Sequence, residues 1–500
     1  MQKFIFTCLF FCFLLSIDAQ NAEKNIFLDR EFWQSEPTVE IIKSKIDEGH
    51  DPAEKDLFSF DGVSYGIIDK APLESIKYML SLEGNPVDKP THGDVTYLLW
   101  SAYKGNIPLV EHLIELGSDI QFTTNRGTNI LLMCGFGGQQ DIALYDLLIK
   151  NGVDIHYTNS SGNNIMLALA GSDANDENIF HYLNKKGLAW NYKDNAGNGF
   201  FHYAARAGNL QNMNLSLLQD IDFTGLNSKG ENAMFYAAYG RKRSEVLLQT
   251  FNYLDSLGLD SDVVNWEGQT PLHHAVRRGS PEVIDFFLDR GVNVNQIDKN
   301  GNTAFMNAAK SKVENVEKLF PLVKNPDHIN HDGHSALSNA VSYANKEAFD
   351  FLITKDADIS IIDNKGNDLL SLAFQSYSER RKEKIKYIID ALISMGLPSK
   401  MAYSEGNTLA HYAIEKNNIY LIEKAIELGA DLNHKNDLGL TSLHFAAMKA
   451  DDHKIIDLLL EAGADKKILT DYKESTYELA VENEILQANQ IDISQLQLND

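Results

Sequence analysis

Three cysteines in 500 residues leave almost no material for disulfide chemistry. Cys8 and Cys12 fall within an opening apolar stretch, and Cys134 stands alone in the rest of the chain. A lone cysteine makes no internal disulfide, so the fold must rest on packed apolar surface rather than covalent staples. Positive charge is also short: 45 Lys and Arg against 70 Asp and Glu, a formal net charge of −25. Phosphate repels a surface of that sign, which argues against a nucleic-acid partner. After the N-terminal stretch no apolar run approaches the roughly eighteen residues of a membrane span. No G-x-S-x-G, P-loop, H-E-x-x-H or dinucleotide fingerprint occurs either, so the common catalytic signatures are missing. What remains, 44% hydrophobic and 23% charged residues, is the composition of a folding chain rather than a disordered one.

The N-terminus reads "MQKFIFTCLFFCFLLSIDAQNAEKN". Lys3 gives a positive start, Phe4 to Ile17 form an apolar run of fourteen, and Ala19 supplies a small residue at a cleavage point. That layout predicts a secretory signal peptide over 1–19, with an uncleaved anchor as the other reading. A lipoprotein signal fits less well, because Cys12 follows two phenylalanines. Export to a periplasm or the medium is therefore expected, with no membrane insertion after cleavage.

A period of about 33 residues runs through the remainder. Its marker is a glycine after a polar pair: "NSKGENAMFYAAYG", "NWEGQTPLHHAVRRG", "DKNGNTAFMNAAKS", "NHDGHSALSNAVSY", "DNKGNDLLSLAFQS". These glycines are Gly230, Gly268, Gly301, Gly333 and Gly366; Gly127, Gly162 and Gly197 precede them, and Gly406 and Gly439 follow. About twenty residues after each marker comes a second signature, such as "LIELGSDI", "FLDRGVNVN" or "AIELGADLN". Two apolar stripes of helical spacing lie between successive markers. Within the best unit, Gly268 supplies a positive φ, Thr270 is placed to cap the first helix and Pro271 to open it. Leu272, Ala275 and Val276 face inward; Val283, Ile284, Phe286, Phe287 and Leu288 form the second stripe, ended by Gly291.

The pattern resembles the ankyrin repeat, with its glycine turn, T-P-L-H-x-A-A, second helix and G-A-D-x-N ending. "GQTPLHHAVRRG" and "GLTSLHFAAMKADDHKIIDLLLEAGAD" are the best copies, and the likeness spans roughly residues 53 to 482, about twelve units. Units near Gly62, residues 92–94 and Gly162 are degenerate, and in the second of these Asp94 occupies the marker slot. The expected fold is one elongated all-α ankyrin-repeat solenoid, because no unit can bury its apolar face alone. Its expected parts are a helical cap over 20–52, the array over 53–470, and a closing helix with a frayed polar tail over 471–500. Insertions in "GSDANDENIFHYL" and "QSYSERRKEKIKYII" are expected to lengthen inter-helix loops.

His202, His273, His411 and His444 share the slot five residues after the marker, which elsewhere holds Leu132, Leu167, Phe235, Met306, Ser338 or Ser371. A ligand or catalyst would not alternate with Leu and Met. The resemblance implies a buried histidine that bonds the Thr hydroxyl and neighbouring backbone. The role of His274, one residue on, stays open. Cys134 takes the place of the first alanine of the A-A pair and reads as a small buried residue. His328, His331 and His334, with Asp332, could hold Zn²⁺, but an ordinary polar turn explains them as well. "DANDEN" lacks the Gly and Glu of a calcium loop. No cofactor, metal or catalytic role is expected.

The resemblance implies instead that function lies on the inner side of the array, at residues beside the marker glycine and after the alanine pair. In the best unit these are Trp266, Glu267, Gln269, Arg277 and Arg278; neighbours contribute Lys229, Glu231, Tyr239, Lys299, Asn300 and Asn302. A Trp flanked by Arg and Tyr is a composition that interface hot spots favour. The expectation is a monomeric, non-catalytic exported scaffold with a protein partner. Alternatives are an effector or toxin acting on host proteins, a metal binder, or an oxidative-stress accessory protein. The last follows from similarity to exported bacterial ankyrin proteins, some of which are associated with catalases.

Overall fold

Glycine- and asparagine-rich turns fix where each helix begins in this chain, and the computed structural model shows how. It describes residues 25–241, 246–398 and 400–498. The expected signal peptide, and the first residues of the expected cap, lie outside the described residues. Among the described residues there are 28 α-helices and no β-sheet, only isolated bridges. The helices come in antiparallel pairs, such as Tyr97–Lys104 with Ile107–Glu115 and Ala336–Ser342 with Lys346–Thr354. The chain divides into two compact units, Met1–Ser228 and Lys229–Asp500. In each, first helices stack on first helices and second on second, which buries one apolar stripe per helix.

The turns share one hydrogen-bond pattern. The residue three before the marker donates its N–H to the carbonyl one after it, and the marker N–H donates back. Asn265 to Gln269 (2.9 Å) and Gly268 to Asn265 (2.9 Å) show it in the second unit; Asp194 to Asn198 (2.9 Å) and Gly197 to Asp194 (2.9 Å) show it in the first. The Asn265 carboxamide oxygen also accepts from the Glu267 and Gln269 N–H groups, so this short side chain holds the loop from within. Gly268 sits at φ 77°, with the Ile297 carbonyl 3.0 Å from where a Cβ would stand. Consecutive turns are joined by single backbone bonds: Trp266 N–H to Lys229 O (2.8 Å), Lys299 to Glu267 (2.8 Å), His331 to Asn300 (2.9 Å) and Asn364 to Asp332 (2.9 Å).

The degenerate turns keep the geometry without the glycine. Ser59 (φ 66°), Asp94 (φ 62°) and Lys473 (φ 71°) occupy the left-handed slot and close the same pattern. Gly62 is therefore not the marker of the first unit. It opens the helix Gly62–Ile68, where Asp61 is the cap, and with Gly66 it lets the buried Trp33 ring approach closely. Trp33 anchors the start of the array, its indole N–H donating to the Phe27 carbonyl at 2.8 Å.

A buried polar cluster lies beneath that first turn. The Asp61 carboxylate meets the Lys89 ammonium at 2.9 Å and accepts from the Tyr97 hydroxyl at 2.6 Å. Lys89 also donates to the Asn85 carboxamide (2.9 Å) and the Ala53 carbonyl (3.0 Å). Burial and the adjacent carboxylate push the Tyr97 phenol well above its ordinary range, so it stays a donor.

Three expectations need correction. The insertion after Gly366 does not simply lengthen a loop: part forms a short 3-10 turn, Glu379–Arg381, and part extends the second helix to thirteen residues, Lys382–Ser394. The closing segment is two helices, Thr476–Glu482 and Glu484–Ala488. They break at Asn483, whose side chain accepts from the Ile485 and Leu486 N–H groups while donating to the Ala447 and Ala450 carbonyls. Nor is the tail frayed up to Leu498. Leu496 is wholly buried, and Lys466 Nζ donates to the Gln495 (2.6 Å) and Gln497 (2.8 Å) carbonyls.

Candidate protein-binding face

The repeated histidines face inward. His273 Nδ1 accepts the Thr270 N–H at 3.0 Å and lies 3.0 Å from the Thr270 hydroxyl, and Nε2 donates to the Gln296 carbonyl at 3.1 Å. His411 repeats this with Thr408 (3.1 and 2.9 Å) and the Leu440 carbonyl (3.0 Å). His444 does so with Thr441 (3.0 and 2.9 Å). Each ring thus ties a helix start; His273 also reaches the loop before the next turn, and His411 reaches the next turn itself. Burial holds all three below the ordinary imidazole value, His411 at about 4. They are neutral at pH 7, and His273 and His411 have both ring nitrogens committed to structure, whereas His444 commits Nδ1. His202 is buried too, but Gly199 stands where the others have threonine, so the implied Thr hydroxyl bond has no counterpart there.

Around "GQTPLHHAVRRG" the polar side chains separate into two groups. One is turned inward. The Tyr239 hydroxyl donates to buried Glu231 at 2.6 Å, and Asn265 adds a second donor at 3.1 Å. His274 stands edge-on to Tyr239, with ring centroids 4.6 Å apart, and its Nε2 bonds the Gln269 carboxamide oxygen at 3.0 Å. Burial pushes the His274 imidazole down to about 4. Arg278 spreads one guanidinium nitrogen over the Tyr239 (3.0 Å) and Arg241 (3.1 Å) carbonyls, capping the end of the helix Ala233–Tyr239. Tyr239, Gln269, Arg278 and Glu231 are therefore framework of this face rather than side chains held out from it. Sequence position alone suggested otherwise, because Arg278 and Asn265 find their partners in the adjacent repeat.

The second group points outward. Trp266 is 60% exposed, yet its indole lies over Gly230, where a Cβ would stand 2.8 Å from the ring. The ring is positioned by the turn beneath and open on its other side. Glu267 pairs with Lys299 at 3.3 Å, both exposed, an arrangement worth little in solution. Arg277 is exposed at the end of the first helix.

The face has a further row. Val264, Ile297, Ile329 and Ile362, each four residues before its marker glycine, are 44–51% exposed. The intervening residues Asn265, Asp298 and Asp363 are buried in their turns, so the aliphatic residue and the one two positions on flank the loop on its exposed side. A recurring aliphatic at one repeat position was the available sequence signal. It was masked because apolar residues are ordinarily read as core.

Elsewhere the candidate chemistry is engaged or buried. His328 Nε2 bonds the Gly301 carbonyl at 2.8 Å, and the His331 N–H is spent on the turn ladder. Among the described residues no three His, Cys, Asp or Glu side chains are placed to hold a metal ion. Cys134 is fully buried, and burial pushes its thiol far above the range of a reactive cysteine. In "DANDEN", Asp176 caps the helix Glu177–Lys185.

The family model described as ankyrin repeats (3 copies) matches residues 245–324 and 380–470. Phosphocholine transferase AnkX of Legionella pneumophila is 25% identical over 230 residues, covering 42% of this chain and 24% of that protein. Human Rabankyrin-5 is 27% identical over 172 residues, 33% of this chain and 14% of its own length. Putative ankyrin repeat protein FPV115 of fowlpox virus is 28% identical over 226 residues, 40% of each chain. The chain thus spans well under half the length of these relatives. Paired helices, turns closed alike around a left-handed residue, and the family match over residues 245–324 and 380–470 agree that this chain contains ankyrin repeats and has an all-α ankyrin-repeat fold.

Proposed function

We propose that this chain is an exported, monomeric, non-catalytic scaffold that binds a protein through the turn-and-first-helix face of its second unit. The observation that carries the reading is Trp266, a large aromatic ring fixed over Gly230 with most of its surface left to solvent. Ordering such a residue in advance lowers the entropy lost on association. Support for a non-catalytic role comes from the histidines, whose Nδ1 atoms serve helix starts, and from the sealed Cys134. The activity in the name of the Legionella relative belongs to a protein of which 24% is matched, and is not carried over. Export rests on the apolar run Phe4 to Ile17 and is tested by the mass and N-terminal residue of the protein recovered from its native source.

Affinity capture from that source tests the binding face, comparing the native chain with Trp266→Ala/Arg277→Ala and with a control on the second-helix surface, Glu282→Ala/Glu314→Ala. The partner should be lost from the first variant alone. Undiminished capture by the Trp266→Ala/Arg277→Ala chain refutes the assignment.

A further inference from the structure

Charge is segregated across the repeats that carry Trp266. Their carboxylates lie mainly on the second helices, at Glu282, Asp285 and Asp289, with Asp285 held by Lys318 at 2.6 Å. Beneath the opposite face Glu231 and Asp298 are buried and already accept hydrogen bonds, and exposed Glu267 is matched by Lys299. Arg277 and Lys310 remain there, close enough that Arg277 helps hold the half-buried Lys310 amine below its ordinary value. Lys310 donates to the Asn307 carboxamide, a neutral acceptor. In a chain of net charge −25, Arg277 and Lys310 sit together here, with the buried Asp298 as the carboxylate that acts on Lys310. Alongside runs the row Val264, Ile297, Ile329 and Ile362, one aliphatic side chain per turn, roughly half exposed on four consecutive repeats. A recurring row of exposed aliphatic side chains is the kind of apolar surface that interaction sites use.

We propose that this face docks an extended acidic polypeptide segment bearing aliphatic side chains, with its carboxylates at Arg277 and Lys310 and its apolar groups along the row from Val264 to Ile362. Charge complementarity with Arg277 and Lys310, together with the aliphatic row, selects the occupant: an acidic surface without apolar side chains, or an apolar one without carboxylates, matches only one of the two features. The proposal rests on the scaffold reading above and adds the chemistry of the partner.

The test pans a displayed library of random 12-residue peptides on the full-length chain, then titrates synthetic versions of the enriched sequences by fluorescence anisotropy. Enriched peptides should combine Asp or Glu with Leu, Ile or Val. Their affinity should fall at least about tenfold for Ile297→Asp/Ile329→Asp and for Arg277→Glu/Lys310→Glu, and fall with added salt as screened charge pairs do. The milder Ile297→Ser/Ile329→Ser pair and circular dichroism separate lost binding from lost folding. Basic or uncharged enriched peptides, no enrichment, or salt-independent binding overturns the proposal. So does a dimer in light scattering that Ile297→Asp converts to monomer, since the occupant is then a second copy. If the captured native partner is lost with Trp266→Ala but indifferent to Arg277→Glu/Lys310→Glu, this inference fails and the scaffold reading stands. If no variant on the face matters, both fail.

Discussion

The Asp61–Lys89 pair should be worth more to the first unit than any surface ion pair in the molecule. Asp61 is wholly buried and Lys89 nearly so, and the carboxylate also accepts from the Tyr97 hydroxyl and the Ser64 N–H. Asp61→Asn keeps a carboxamide oxygen to cap the helix Gly62–Ile68 but leaves the Lys89 ammonium facing neutral acceptors. Removing one partner of a buried pair costs about 3–5 kcal/mol, and slight solvent access at Lys89 favours the lower end, about 3 kcal/mol. Lys89→Met should cost a similar amount by stranding the carboxylate. The double variant should recover a large part of the loss, because neither charge is then left alone. Urea unfolding gives the totals. Hydrogen exchange in Gly62–Ile68 and Tyr97–Lys104 localises them, since repeat arrays can open in part. The reasoning is refuted if Asp61→Asn costs under about 1 kcal/mol, or if the double variant loses the sum of the two single losses.

Acid should weaken the second unit. His411 is held at about 4, below its unfolded value near 6.5, so the unfolded chain binds the extra proton; stability is full above about pH 6.5 and falls as pH drops toward 4, by up to about 3 kcal/mol. Denaturant midpoints at pH 7.0, 5.5 and 4.5 should show the decline, and His411→Gln should flatten it; an equal slope in the variant rejects the assignment. Lys473→Gly places glycine in a left-handed slot now strained by a side chain and should raise the stability of the closing turn by about 0.5–1 kcal/mol, read by local hydrogen exchange. Leu496→Ala should release the tail: proteolysis should cut within 491–498 far faster than in the native chain, and unchanged cleavage would count against the anchoring described above.

Much of the fold was legible because a repeat states its geometry many times. A glycine followed five residues later by histidine, leucine or serine fixed the turn, the helix start and the inward slot together. Reading failed where one copy departed from the rest. Ser59 and Lys473 hold a glycine conformation without being glycine, because two backbone hydrogen bonds define the turn and the neighbouring repeat confines it. Asn483 breaks a helix whose apolar spacing runs on, since its carboxamide finds partners on both sides. On the proposed face, Trp266 and Arg277 were identifiable by position, whereas the inward turn of Arg278 depends on carbonyls 37 and 39 residues away. The row through Val264 and Ile297 was written in the chain but disguised as core.

The single backbone bonds that join successive turns imply a particular response to force. Pulled end to end, the second unit would be loaded in series, each repeat held to the next by its own stacked helices and turn bond and, among the described residues, by nothing from repeats farther along. Repeats should detach one after another at low force, each freeing about 33 residues or roughly 11 nm of extended chain. A staircase of such steps in a single-molecule stretching trace, rather than one abrupt rupture, would mark this protein as a soft molecular spring.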